Sequence, residues 1–73
     1  MMTQTNRYSD LVEKQRQLYL DQKVPVNISL IEQDGEWCWV ASVIENPEFQ
    51  LFVNETQQEV IELCEEYELP FEI

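Results

Sequence analysis

The side chains that most often carry chemistry are scarce in this sequence. The chain has no histidine, one glycine and two cysteines. Histidine is the commonest general base and metal ligand, and a phosphate-binding loop needs several glycines. Cys38 and Cys64 lie far apart and have no histidine to complete the usual zinc site, so we interpret them as buried apolar residues. The sequence therefore predicts no catalytic residue, no metal site and no cofactor.

Carboxylates are the one reactive group that is abundant, with fifteen Asp and Glu residues in 73. A catalytic carboxylic acid of the glycosidase type must sit in a cleft that is buried enough to raise its pKa. A chain of this length buries only about 60% of its unfolded surface, so it has little volume for such a cleft. We therefore expect a protein that is not an enzyme.

The charges are distributed unevenly along the chain. The first 23 residues contain all four basic residues and three acidic ones, a net charge of +1. The remaining fifty residues contain twelve acidic residues and no basic one, a net charge of −12. Such a field disfavours direct binding to nucleic acid or to an anionic membrane and favours a basic protein partner. The alternative is that the charge serves only solubility.

A β-hairpin is the element around which the rest is arranged. Apolar residues alternate from Val24 to Leu30 and again from Trp37 to Val43, as half-buried strands require. Asp34-Gly35 between them is a strong signal for a two-residue turn. That turn sets Leu30 opposite Trp39, Ile28 opposite Ala41 and Val26 opposite Val43. The other face of the second strand is too apolar to be left in water, so we expect the first helix or another subunit to cover it.

Helices are predicted before and after this hairpin in the sequence. Residues 6–22 have apolar side chains at helical spacing, and Pro25 follows them. Residues 56–59 read Thr-Gln-Gln-Glu, which is a capping box for a second helix that Pro70 stops. Between the hairpin and that helix, residues 49–53 form a third strand, with Phe49, Leu51 and Val53 on one face.

The predicted order is helix, three-stranded antiparallel β-meander, helix and a short last strand at residues 71–73. This arrangement is an α+β fold of two layers, and residues 1–73 make one small domain in which residues 1–5 are expected to be disordered. No segment resembles a signal peptide, and no stretch approaches the about 20 consecutive apolar residues of a membrane span. We therefore expect a cytoplasmic protein without membrane contact.

An acidic band follows from this arrangement, because the second helix carries glutamates on its outer face. Like charges at helical spacing repel one another by a few tenths of a kcal/mol per pair, and no Lys or Arg is interspersed to relieve them. One interpretation is a solvated face, and the other is a strip that imitates nucleic-acid phosphate. We expect one set of residues to contact a partner: Asp34, Glu45, Glu48, Glu59, Glu62, Glu66 and Trp37. The alternative for Trp37 is that it only flanks a core residue, Trp39.

Residues 24–67 resemble the HicB-type antitoxin domain. The resemblance rests on the strand pair, on the segment Trp39-Val40-Ala41 and on the capping box at residues 56–59. The Pro-Gly that is usual between the second and third strands of that family is replaced here by Asn46-Pro47-Glu48. The resemblance implies a small acidic protein that binds and blocks another protein.

Two functions are compatible with these observations. The first is a non-catalytic inhibitor, of the antitoxin or anti-defence kind, that binds a basic, nucleic-acid-handling protein through its acidic surface as a nucleic-acid mimic. The second is a small structural or regulatory subunit without a nucleic-acid-related partner. That subunit would be a homodimer, through a sheet edge or through the apolar stripe of the first helix: Tyr8, Leu11, Val12, Leu18 and Tyr19.

Overall fold

The protein has an α+β fold in the predicted order. A computed structural model describes the backbone of residues 3–73 and the side chains of residues 10–73. The elements are α1 (Thr3–Gln22), β1 (Val26–Gln33), β2 (Glu36–Val43), β3 (Asn46–Asn54), α2 (Gln57–Glu66) and β4 (Phe71–Glu72). No helix in the described part is long and apolar enough to cross a membrane.

The hairpin of β1 and β2 has the predicted register. Leu30 pairs with Trp39, Ile28 with Ala41 and Val26 with Val43. The turn residues Asp34 and Gly35 have φ values of 54° and 81°, so both occupy the left-handed region that a type I′ turn requires. The two-residue turn thus fixes which side chains share a face.

Strand β3 departs from the predicted alternation. The register shifts by one residue, from Phe52 opposite Ala41 to Gln50 opposite Ser42, which is a β-bulge. Leu51 and Phe52 are consequently both buried in the core. Val53 pairs with Val40 instead and is about half exposed. The predicted placement of Val53 on the face of Leu51 is therefore wrong, because the extra residue reverses the alternation beyond it.

Strand β4 completes a sheet of order β3-β2-β1-β4. It runs parallel to β1 and pairs with Val26 and Asn27 only. Pro25 precedes β1, and its carbonyl oxygen accepts a hydrogen bond of 3.1 Å from the backbone N–H of Ile44. Pro25 has no backbone N–H, but because it lies before β1 the hydrogen-bond ladder between β1 and β2 loses no donor.

The sheet has one covered face and one open face. Helix α2 packs on the covered face, where the core is continuous with the last turn of α1. The buried core residues are Leu20, Val24, Val26, Ile28, Ala41, Val43, Leu51, Phe52, Val60, Cys64 and Leu69. The open face carries Ser29, Ile31, Cys38, Val40, Ser42 and Val53, and Val40 is nevertheless only 1% exposed. The side chain of Gln33 on β1 donates to Gln50 on β3 at 3.2 Å, so this bond passes over β2.

Helix α1 does not cover the open face, so the first of the two expected covers is wrong, and cover by another subunit stays a prediction. Its last turns dock beside β3 at the covered side, where the Tyr19 ring meets Phe49 edge-on at 5.1 Å between centroids. The helix begins at Thr3, earlier than predicted. Of the five residues expected to be disordered, positions 1 and 2 lie outside the described residues and positions 3–5 form the first turn of α1.

Candidate protein-binding surface

Helix α2 is fixed at both ends by side-chain and backbone hydrogen bonds. The Thr56 hydroxyl oxygen accepts from the backbone N–H of Glu59 at 3.2 Å and donates to the Glu59 carboxylate at 2.9 Å. The predicted cap by Thr56 is confirmed, whereas the Glu59 carboxylate contacts the Thr56 hydroxyl and not the Thr56 backbone N–H of a full capping box. Val60 and Cys64 face the core and are fully buried. With these residues held inward, the glutamates of the helix must face outward.

Three of the predicted contact residues lie together on that outer side. Glu59, Glu62 and Glu66 are spaced three and four residues apart, which places them on one side of the helix. All three are exposed and line one shallow groove with Asn54 and Leu63. We call Glu59, Glu62 and Glu66 the acidic strip.

A second acidic group lies at the hairpin turn. Asp34, Glu36 and Glu55 are exposed and line a groove with Cys38 and Val53, so this groove lies on the open face of the sheet. Asn54 borders this groove and that of the acidic strip, which lies on α2 at the covered face. Asp34 was predicted as a contact residue, whereas Glu36 was missed. The signal for Glu36 was present, because a two-residue turn at Asp34-Gly35 sets it opposite Gln33 at the same end of the sheet. We call Asp34, Glu36 and Glu55 the turn cluster.

Trp37 is the chain neighbour of Glu36 on β2 but faces the other side of the sheet, and it is the most exposed aromatic residue among residues 10–73. Its side chain is 63% exposed and shares the covered face with Leu30 and Trp39, beyond the area that α2 covers. Trp39 instead packs against the core. An exposed Trp next to charged residues is typical of protein interfaces, where Trp is enriched among the residues that contribute most to binding.

Glu45 and Glu48 do not belong to this surface. They follow β2, whereas Asp34 precedes it, and the eight residues of β2 span roughly 26 Å. Glu48 borders a different groove, near Val12 and Arg16. The structure therefore separates the predicted contact residues into two ends of the sheet.

Two described basic side chains have defined partners, one on β3 and one at the C-terminal end of α2. Arg16 donates to the backbone carbonyl of Leu51, and its guanidinium lies 5.2 Å from the centroid of the Phe52 ring, a cation–π arrangement. Lys23 donates to the Tyr67 carbonyl at 2.9 Å and lies 4.0 Å from the Glu68 carboxylate. These contacts hold α1 against β3 and against the end of α2.

The cysteines are both free, and one of them is chemically inert in the folded chain. Cys64 is fully buried, and this burial, with a smaller contribution from the negative charge of Glu65, raises the pKa of its thiol to about 11. Because the thiolate is the nucleophile, Cys64 is unreactive near neutral pH. In the described part of the chain, no group of three or more Cys, Asp or Glu side chains is arranged to hold a metal ion.

One part of the apolar stripe of α1 is exposed and another part is packed against β3. Leu11, Val12 and Leu18 are exposed, whereas Tyr19 packs against Phe49 and receives a hydrogen bond of 3.2 Å from the Asn46 side chain on its hydroxyl oxygen. Tyr19 is thus occupied within the chain. The fifth residue of the predicted dimer stripe, Tyr8, lies outside the described side chains.

Comparisons with known proteins found no relative. No family model matches the sequence, and neither the curated proteins nor the solved structures contain a significant match.

Proposed function

We propose that this protein is a non-catalytic inhibitor that binds a basic, nucleic-acid-handling protein. The observation that carries the proposal is the clustering of Glu59, Glu62 and Glu66 around one groove. Carboxylates on a rigid helix can stand where the phosphates of a nucleic acid would stand in a basic groove. The pattern by which residues 24–67 resemble the HicB-type antitoxin domain, although no family model matches the chain, implies the same class of role.

The charge arrangement favours a basic partner over charge that serves only solubility. A surface that serves solubility alone needs no large field of one sign. Here the strip lies in a stretch of fifty residues without one basic residue, while Arg16 and Lys23 are bound to the carbonyl oxygens of Leu51 and Tyr67. The repulsion along α2 is therefore not relieved within the described chain, and a basic partner would relieve it.

The contact surface in this proposal consists of the acidic strip, Asp34 and Trp37. Glu45 and Glu48 lie at the other end of the sheet, so we do not assign them to the same contact. Trp37 contributes apolar area beside the charges, which gives the contact a component that salt does not screen.

The experiment that tests the proposal is a pulldown from host lysate with the immobilised protein at low salt and again at about 0.5 M salt, where charges are screened within a few ångströms. A short duplex DNA is added to a parallel low-salt sample as competitor. The proposal expects a basic nucleic-acid-binding protein that high salt releases and that DNA displaces. A captured protein that is neither basic nor displaced by DNA would contradict it.

The second candidate is a homodimeric structural or regulatory subunit. The exposed side chains of Leu11, Val12 and Leu18 on α1 favour it. Its test is the mass in solution as a function of concentration, compared with that of Leu11→Ser. A dimer that this substitution dissociates supports the second candidate, and a monomer at every concentration counts against it.

A further inference from the structure

The outer edge of β1 is mostly without a neighbouring strand. β4 pairs only with Val26 and Asn27, whereas β1 continues to Gln33 and stays paired with β2 throughout. Residues 28–33 therefore have β2 on one side and, among the described residues, no strand on the other. Six residues of β-strand give an open edge of about 20 Å.

Two observed hydrogen bonds show which backbone groups point outward along this edge. The N–H of Val26 donates to Pro70 on the β4 side at 3.0 Å, and the carbonyl of Pro25 accepts from Ile44 on the β2 side at 3.1 Å. Successive residues of a strand direct their backbone groups to opposite sides. The N–H and C=O groups of Leu30 and Glu32 therefore point away from β2, and nothing in the described part of the chain bonds to them there.

The side chains beside this edge combine apolar area with negative charge. Leu30 is 47% exposed and lies diagonal to the exposed Trp37 on the covered face. Glu32 on β1, Asp34 in the turn and Glu72 on β4 are all exposed near this edge. Native proteins commonly protect an open edge with lysine or proline, and residues 28–33 contain neither.

We propose that residues 28–33 of β1 bind an extended segment of the basic partner as an additional strand, an inference that rests on the proposed function. The outward N–H and C=O groups of Leu30 and Glu32 pair with the backbone of that segment. Its apolar side chains pack beside Leu30, and its Lys or Arg side chains face Glu32 and Asp34. A second copy of this chain is disfavoured at the same edge because each copy carries a net charge of −11.

The test uses a capped synthetic peptide of about eight residues, a typical strand length. Leu30 and Glu32 share one face of β1, so one face of the peptide carries Val and Lys in turn and its other face carries Thr. Amide hydrogen exchange of the labelled protein is followed by NMR with and without the peptide. We expect the N–H groups of Leu30 and Glu32 to gain protection, and the affinity to fall at about 0.5 M salt. Leu30→Pro removes the outward donor and the leucine side chain but no donor that faces β2, and it is expected to weaken binding about tenfold or more.

A matched pair of charge variants keeps the test decisive if Leu30→Pro does not fold. Leu30→Lys places a repelling charge at the edge, and Leu18→Lys makes the same change at an almost equally exposed residue, 48% against 47%, on α1. We expect about a tenfold loss for Leu30→Lys and less than about a twofold change for Leu18→Lys.

The results that would overturn the edge site differ from those that would overturn the proposed function. Equal effects of Leu30→Lys and Leu18→Lys, or no protection at Leu30 and Glu32, would overturn the edge site. Absence of peptide binding would overturn it too. The proposed function is judged separately, by capture of the natural partner and by its dependence on the acidic strip.

Discussion

The Lys23 ammonium lies 2.9 Å from the backbone carbonyl oxygen of Tyr67, which joins the end of α1 to the end of α2. Both helices end in the same way. Lys23 and Glu68 have φ values of 55° and 59°, and the next N–H in each case bonds back to the last turn, Val24 to Tyr19 at 3.3 Å and Leu69 to Cys64 at 2.8 Å. These are Schellman motifs without glycine.

Replacing Glu68 by glycine is expected to stabilise the protein. A non-glycine residue in the left-handed region costs roughly 1–2 kcal/mol, and the ion pair that is lost, between exposed partners 4.0 Å apart, contributes almost nothing. We expect Glu68→Gly to raise the free energy of unfolding by about 0.5–1 kcal/mol in urea titrations. The control is Glu62→Gly inside α2, which should lower it by about 1 kcal/mol. A loss of stability in Glu68→Gly would contradict this account of the helix end.

Removing the capping hydroxyl is expected to destabilise α2. Thr56→Ala leaves the backbone N–H of Glu59 without its acceptor and should lower the free energy of unfolding by about 1 kcal/mol. Thr56→Ser keeps the hydroxyl and should stay close to the parent. Circular dichroism during urea unfolding measures all three proteins. Equal losses for the two variants would show that the methyl group, and not the cap, matters at this position.

The buried thiol predicts a pH dependence at the alkaline end. Folding raises the pKa of Cys64 from 9.0 to about 11, so between these values the unfolded chain loses a proton that the folded chain keeps. The stability from this group is therefore complete below about pH 9 and is lost as the pH rises towards 11. Urea unfolding at several pH values should show a steeper decline for the parent than for Cys64→Ala. Parallel declines would contradict the prediction.

The same burial predicts selective labelling of the two cysteines. Cys38 is half-buried and Cys64 is fully buried, so a disulfide reagent should modify one thiol quickly in the native protein and both in concentrated urea. Cys64→Ala should leave the native rate unchanged. Rapid modification of two thiols in the native protein would show that the core opens easily.

The hairpin could be predicted because short-range signals determine it. The Asp34-Gly35 turn and the alternation around it agree on one register, and each signal depends on residues close in sequence. The cap by Thr56 was predictable for the same reason.

The bulge in β3 and the docking of α1 could not be predicted from the same signals. Leu51 and Phe52 are buried together because of a one-residue register shift, and the local sequence has no glycine or other marker for it. The position of α1 depends on Arg16 reaching Leu51, a contact between residues far apart in the chain. Likewise, the separation of Glu48 from the acidic strip follows from strand direction across the whole sheet.

Binding through the acidic strip is tested most directly by two double charge reversals that give the same net charge. Glu62→Lys with Glu66→Lys alters the acidic strip, and Glu45→Lys with Glu48→Lys makes the same change at the far end of the sheet. Binding of the captured partner is measured by calorimetry at low salt, after unfolding curves show that both variants fold. We expect the affinity for the partner to fall about a hundredfold or more in the first variant and to change little in the second. Equal losses in both, or unchanged affinity in the first, would contradict this expectation.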